Sequence, residues 1–114
     1  MHVWARSVLI TLLLAGTPVT AQNMPAPPDA ELLIIWPSHG EVIRGGKLWV
    51  RMGLKGMGIA PAGIEMEETG HHHLLIDAGV PPLDEPIPAD DNHIHFGRGQ
   101  TQTQVSLSRG EHTL

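Results

Sequence analysis

The sequence predicts an all-β domain, an antiparallel β-sandwich of immunoglobulin-like type, from three observations. Short apolar stretches with two-residue alternation recur along the chain, which is the pattern of half-buried strands. Many of the 13 glycines and 10 prolines lie between these stretches, where they favour turns. After residue 21, no segment of ten residues has the spacing of an amphipathic helix.

The first 21 residues have the three-part layout of a secretory signal peptide. Arg6 precedes an apolar run at 8–15, and Val19 and Ala21 are the small residues expected before a cleavage site. The run is far shorter than the roughly 20 residues that span a bilayer. We therefore expect cleavage after Ala21, a periplasmic or secreted protein, and no membrane span in the mature form.

After the predicted cleavage site the chain divides into a leader and a domain. Residues 22–30 are proline-rich and polar, as in an extended linker. The β-sandwich domain is expected over 31–114.

The first strands of that domain are bounded by clear turns. A short apolar strand at 32–36 ends at the Pro37–Gly40 turn, and a second short strand is expected at 41–43. The strand at 47–54 alternates most regularly. Its core face is predicted to carry Leu48, Val50, Met52 and Leu54.

Two long connections organise the rest of the domain. Residues 55–70 are glycine-rich and are expected to form a loop before a strand at 71–77. Residues 78–92 carry four prolines, which exclude regular structure and favour a stiff, extended connection. Strands at 93–96 and 100–108 then follow.

Composition excludes several classes of function. With 12 acidic and 7 basic side chains, the chain is a poor candidate for binding nucleic acid or an anionic membrane. It contains no cysteine, so it has neither a disulfide scaffold nor a cysteine nucleophile. The HExxH, GxSxG and phosphate-loop motifs do not occur either. We therefore expect a binding protein rather than an enzyme.

Five histidines fall in two of the predicted strands, and alternation places four of them on one face. Leu74 and Ile76 are predicted to face the core in the first strand, as are Ile94 and Phe96 in the second. If the two strands are neighbours, four imidazoles converge within ligand distance on the opposite face. These four predicted metal ligands are His71, His73, His93 and His95.

Imidazole suits zinc, copper and nickel, and a site made only of nitrogen ligands favours Cu²⁺ over Zn²⁺. Three further residues are predicted to orient the ligands through hydrogen bonds. Asp77 shares the histidine face by alternation, while Asp91 and Asn92 directly precede the second histidine strand. Asn92 also belongs to an expected run of Asx turns that begins at Asp90.

The remaining histidines have simpler interpretations. His72 lies on the apolar face and is expected to be a hydrogen-bonded core residue. His39 and His112 are expected to be hydrogen-bonding structural residues.

The blocks GHHHLLID and DDNHIHFGRGQT resemble a bacterial exported family catalogued as a domain of unknown function. The resemblance covers about Leu33 to Leu114 and implies an exported compartment and a β-sandwich fold. It implies no activity. Members of that family continue past the HTL block with another strand, so the resemblance implies a domain that lacks its last strand.

The leading hypothesis is a periplasmic histidine-rich module that binds copper more readily than zinc, in metal handling or as an accessory that meets a periplasmic protein. Its metal affinity should fall as the pH drops through the histidine range near 6.5. The alternative is a metal-free β-sandwich adaptor, in which the histidines and Asn92 hold the proline-rich connection by hydrogen bonds. In that case chelators would change nothing. A metalloenzyme with an open coordination position is the third hypothesis, and a redox assay on the metal-loaded protein would test it.

Overall fold

The computed structural model describes residues 24–114, and that range contains strands and no helix. The predicted signal peptide and the first residues of the leader lie outside the described residues. None of the described residues forms a helix able to cross a membrane. The predicted all-β class is confirmed. The strands are β1 (Glu31–Trp36), β2 (Lys47–Lys55), β3 (Gly58–Ile59), β4 (Thr69–Gly70), β5 (His73–Leu75), β6 (His93–His95) and β7 (Gln102–Ser106).

The larger sheet has β2 at its centre, paired antiparallel with β1 on one side and with β7 on the other. Its inner face follows the predicted alternation, because Leu48, Val50 and Met52 are buried. Val105 of β7 lies opposite Leu48 and extends this buried face. The outer face is exposed at Trp49.

The second layer consists of β5 and β6, which form an antiparallel pair. Leu74, Ile76 and Phe96 are buried in one cluster with the inner face of the larger sheet, and Ile94 packs against that cluster. The predicted core residues of both histidine segments are therefore confirmed. Two apolar layers face each other, as a β-sandwich requires. The immunoglobulin-like strand order stays a prediction.

Two parts of the predicted strand pattern are wrong. Residues 41–43 are not a strand; the Glu41 amide closes a turn on Ser38. Within the predicted loop at 55–70, β3 and β4 form a short parallel pair. Each of these strands has two residues, so neither produces a periodic pattern that a sequence could reveal.

The proline-rich connection between β5 and β6 is closed at its base by Asn92. The Asn92 side-chain amide donates a hydrogen bond to the Ile76 carbonyl at 2.7 Å, and the Ile76 amide donates to the Asn92 carbonyl at 2.9 Å. The backbone amide of Asn92 donates to Asp90 Oδ1 at 2.9 Å, which is the expected Asx turn. These bonds fix how β6 enters its pairing with β5.

Candidate metal centre

The register of β5 and β6 brings the two histidine segments together. His73 pairs directly with His95, so the two side chains lie on the same face. His71 lies two residues before His73 and joins them on that face. The two predicted histidine strands are therefore neighbours.

Three imidazoles meet at this point, and we call His71, His73 and His95 the three-histidine group. Their ring centroids are 5.0 Å, 4.9 Å and 4.8 Å apart. Nε2 of His71 lies 3.1 Å from Nε2 of His73. One ring nitrogen from each histidine lies within 4.8 Å of the others, so the group could hold a metal ion.

The distance between the His71 and His73 ring nitrogens is close to the distance between two nitrogen ligands of one metal ion. Two nitrogens that each lie about 2.0–2.1 Å from zinc are separated by about 3.4 Å when the site is tetrahedral. His71 Nε2 and His73 Nε2 are hydrogen-bonded to each other at 3.1 Å, a distance slightly shorter than that separation. His95 is the most exposed of the three.

The electrostatics of the group favour the neutral form of His71 and His73, which is the form that binds metal. Burial is the main cause that lowers the pKa of His71, and the nearby His95 lowers it further. Burial likewise lowers the pKa of His73, followed by its neighbours His71, His95 and His93. Burial and the neighbouring imidazoles therefore disfavour a proton on His71 and on His73.

His73 also holds a polar atom without a partner. Its Nδ1 is buried and has no hydrogen bond within the part of the chain that the structure describes. An unpaired buried nitrogen costs about 1–3 kcal/mol and is unusual enough to need an explanation. Such an atom beside two other imidazoles is typical of a functional site.

His93, the fourth predicted ligand, lies outside the three-histidine group. It shares the histidine face with His95 and is close enough to lower the pKa of His73. Its Nδ1 instead lies 2.6 Å from Asp90 Oδ1. The carboxylate beside this histidine is thus Asp90, whereas the predicted Asp91 is exposed. An aspartate three residues before a histidine, across an Asx turn, is the signal that could have identified this pair.

The other two predicted orienting residues bond elsewhere. Asp77 does contact a histidine, but it is His112, at 2.7 Å. The hydrogen bonds of Asn92 reach Ile76 and Asp90. The bonds that the structure shows for Asp77 and Asn92 therefore do not reach the three-histidine group.

The remaining histidines differ in their surroundings. His112 is hydrogen-bonded through both ring nitrogens, to Asp77 and to the Ser108 carbonyl, as expected of a structural residue. His72 is buried as predicted, but its Nε2 has no hydrogen-bond partner among the described residues. Burial lowers the pKa of His72, so this core imidazole is neutral.

Fold and site together define an all-β protein with a histidine group that could hold a metal ion. The model of one family, Domain of unknown function (DUF4399), matches residues 50–114, a span that includes both histidine segments. The chain belongs to this family. Among curated proteins and among solved structures, no significant match to the chain is found.

Proposed function

We propose that this protein is an exported metal-binding module whose site is the three-histidine group. The observation that carries the proposal is the convergence of three imidazole nitrogens within 4.8 Å of one another. The alternation of the strands supports it, because Leu74, Ile94 and Phe96, which adjoin these histidines in sequence, pack in the core. The export proposal rests on the signal-peptide pattern of the first 21 residues.

Copper is the metal that this donor set favours. The group offers only imidazole nitrogens, and at such sites Cu²⁺ binds more tightly than Zn²⁺ when both are equally available. The exposure of His95 gives an ion access from solvent. The proposed role is periplasmic metal handling, or delivery of metal as an accessory to a metalloprotein.

We also propose His93 as a fourth ligand of the loaded site. Its Nδ1 faces the Asp90 carboxylate at 2.6 Å, which favours a proton on Nδ1 and leaves Nε2 free to bind metal. Carboxylates that bond the far side of an imidazole commonly orient metal ligands in this way. His93 would thus add to a site that the other three histidines form.

Calorimetric titration of the purified protein with Cu²⁺ and with Zn²⁺ tests these assignments. We expect one ion per chain with submicromolar affinity for Cu²⁺, weaker binding of Zn²⁺, and loss of both in a His71/His73/His95→Ala variant. His93→Ala should weaken binding by about 10–100-fold without abolishing it. His39→Ala is the matched control, because His39 is exposed and lies outside the group. A folded protein that binds neither ion would refute the metal proposal.

A metal-free adaptor is the second candidate, and the bonds around the proline-rich connection favour it. His93 contacts Asp90, and Asn92 bonds Ile76, as that hypothesis requires. An adaptor should keep its melting temperature when chelator or metal is added. In this candidate the three-histidine group is a structural cluster, which leaves the convergence of its three ring nitrogens without a chemical role, and for that reason we place it second.

A further inference from the structure

Gly97, two residues after His95, lies directly beneath the His95 imidazole. A β-carbon at position 97 would lie 2.8 Å from Cε1 of His95 and 3.2 Å from its Nε2. Contacts between non-bonded carbons are favourable from about 3.5 Å. The ring therefore occupies space that only a glycine leaves open.

The backbone under the ring is held in place on both sides. The Gly97 carbonyl accepts a hydrogen bond from the Ala62 amide at 2.9 Å, and the Gly99 amide donates to the Phe96 carbonyl at 3.0 Å. If a side chain were added at 97, the imidazole would move more easily than this turn. The ring is the free end of a side chain, and it would leave the position in which it lies beside His71 and His73.

We propose that Gly97 is a positioning residue of the metal centre, because it gives the His95 ring the space to face His71 and His73. This inference rests on the proposed metal-binding function. A methyl group at 97 would displace the ring by at least about 0.7 Å, given the favourable contact distance of about 3.5 Å. Metal–ligand distances tolerate only about 0.2 Å. The displacement is thus several times larger than a coordination bond allows.

Gly97→Ala tests the proposal, with Gly79→Ala as the matched control. A β-carbon at Gly79 would meet no atom within 4 Å. We expect Gly97→Ala to weaken Cu²⁺ binding by about 10–100-fold. The melting temperature of the metal-free protein should stay the same, since a glycine-to-alanine change without backbone strain does not destabilise a fold. Gly79→Ala should bind Cu²⁺ like the wild type.

A double-variant comparison shows whether Gly97 acts through His95. In a His95→Ala background, Gly97→Ala should cause no further loss of Cu²⁺ affinity, because no ring remains to be displaced. The Cu²⁺ electron paramagnetic resonance spectrum of Gly97→Ala should also resemble that of His95→Ala. A further loss of similar size in the double variant would overturn the inference.

Two other results separate this inference from the proposed function. If the wild type binds Cu²⁺ and Gly97→Ala binds it equally well, the role of Gly97 is refuted and the metal site stands. If the folded wild type binds no metal ion, the proposed function fails, and the inference fails with it.

If Gly97→Ala lowers the melting temperature of the metal-free protein, this loss of melting temperature must vanish in the His95→Ala background. A loss that persists there would show a purely structural role and overturn the inference.

Discussion

The Asp77 carboxylate joins two parts of the chain that are 35 residues apart. Its Oδ2 lies 2.7 Å from Nδ1 of His112, and its Oδ1 accepts a bond from the Thr113 amide at 2.8 Å. The Asp77 amide donates to the Thr113 carbonyl at 2.9 Å. One residue thus attaches the segment at 112–114 to the end of β5.

This contact shifts both pKa values. The hydrogen bond from His112 is the main cause that lowers the pKa of Asp77, and the same bond raises the pKa of His112. The histidine contribution to stability is fully present below pH 6.5 and is lost as the pH rises through its raised pKa. The aspartate contribution is present above pH 3.8 and is lost as the pH falls through its lowered pKa. The pair therefore stabilises the fold most between pH 3.8 and pH 6.5.

Asp77→Asn should accordingly destabilise the protein more near about pH 6 than near about pH 9, because the charged pair exists only at the lower of these values. Urea denaturation of wild type and variant at both pH values measures the difference. Asp84→Asn, an exposed aspartate in the proline-rich connection, is the control and should show no such dependence. An equal loss at both pH values would show that only the bonds to Thr113 matter.

At the scale of elements, β5 and β6 have three residues each and depend on bonds at both ends of their pairing. The Phe96 amide donates to the His72 carbonyl at 3.1 Å beside the three-histidine group, and Asn92 closes the opposite end. Between them Leu74 is 3% exposed and anchors the pair in the core. Packing by one leucine thus helps to hold the strand that carries His73.

Leu74→Ala should lower the free energy of unfolding by about 2–5 kcal/mol, the usual cost of such a cavity in a core. Leu32→Ala is the matched control, since Leu32 is 70% exposed in β1, and it should cost far less. Urea denaturation of both variants makes the comparison. Equal losses would contradict the position of the core between the two layers.

The sequence could predict β2 and the core residues of both histidine segments because alternation continues through them. It failed at β3 and β4, which form only through contacts between distant parts of the chain. Alternation also predicted that Asp77 lies beside the predicted metal ligands, but this holds only if the strand extends to residue 77. β5 instead ends at Leu75, and Asp77 has a φ angle of 54°, so its side chain leaves the alternating pattern.

The position of His93 shows a second limit. Alternation places it on the correct face, but its contact with Asp90 depends on how the turn at 90–92 closes. Periodicity determines a face and not the direction of a ring. Convergence of the other three histidines was predictable only on the condition that β5 and β6 are neighbours.

For the molecule as a whole, a bound ion should add stability because it binds the folded chain and not the unfolded one. At a free Cu²⁺ concentration 100 times the dissociation constant, the gain is about 2.7 kcal/mol. Thermal unfolding should therefore shift upward with Cu²⁺ and return after chelation. The His71/His73/His95→Ala variant should show no shift. An equal shift in that variant would place the ion elsewhere.

Acid should destabilise the metal-free protein, whereas a bound metal ion should stabilise the folded chain. Burial lowers the pKa of His71, His72 and His73, so the unfolded chain takes up more protons than the folded one below pH 6.5. Stability from these residues is full above pH 6.5 and falls as the pH drops through the range down to their lowered pKa values. Denaturation midpoints measured from neutral to acidic pH in chelator should decline accordingly. A flat profile would contradict the burial of these imidazoles.

The two hydrogen bonds between Asn92 and Ile76 separate the geometry of the three-histidine group from the length of chain between β5 and β6. Because both strands are held at the base of the connection, residues 78–89 can change in number without altering how His73 faces His95. An engineer could therefore replace the connection with a reporter peptide while keeping the three-histidine group in place.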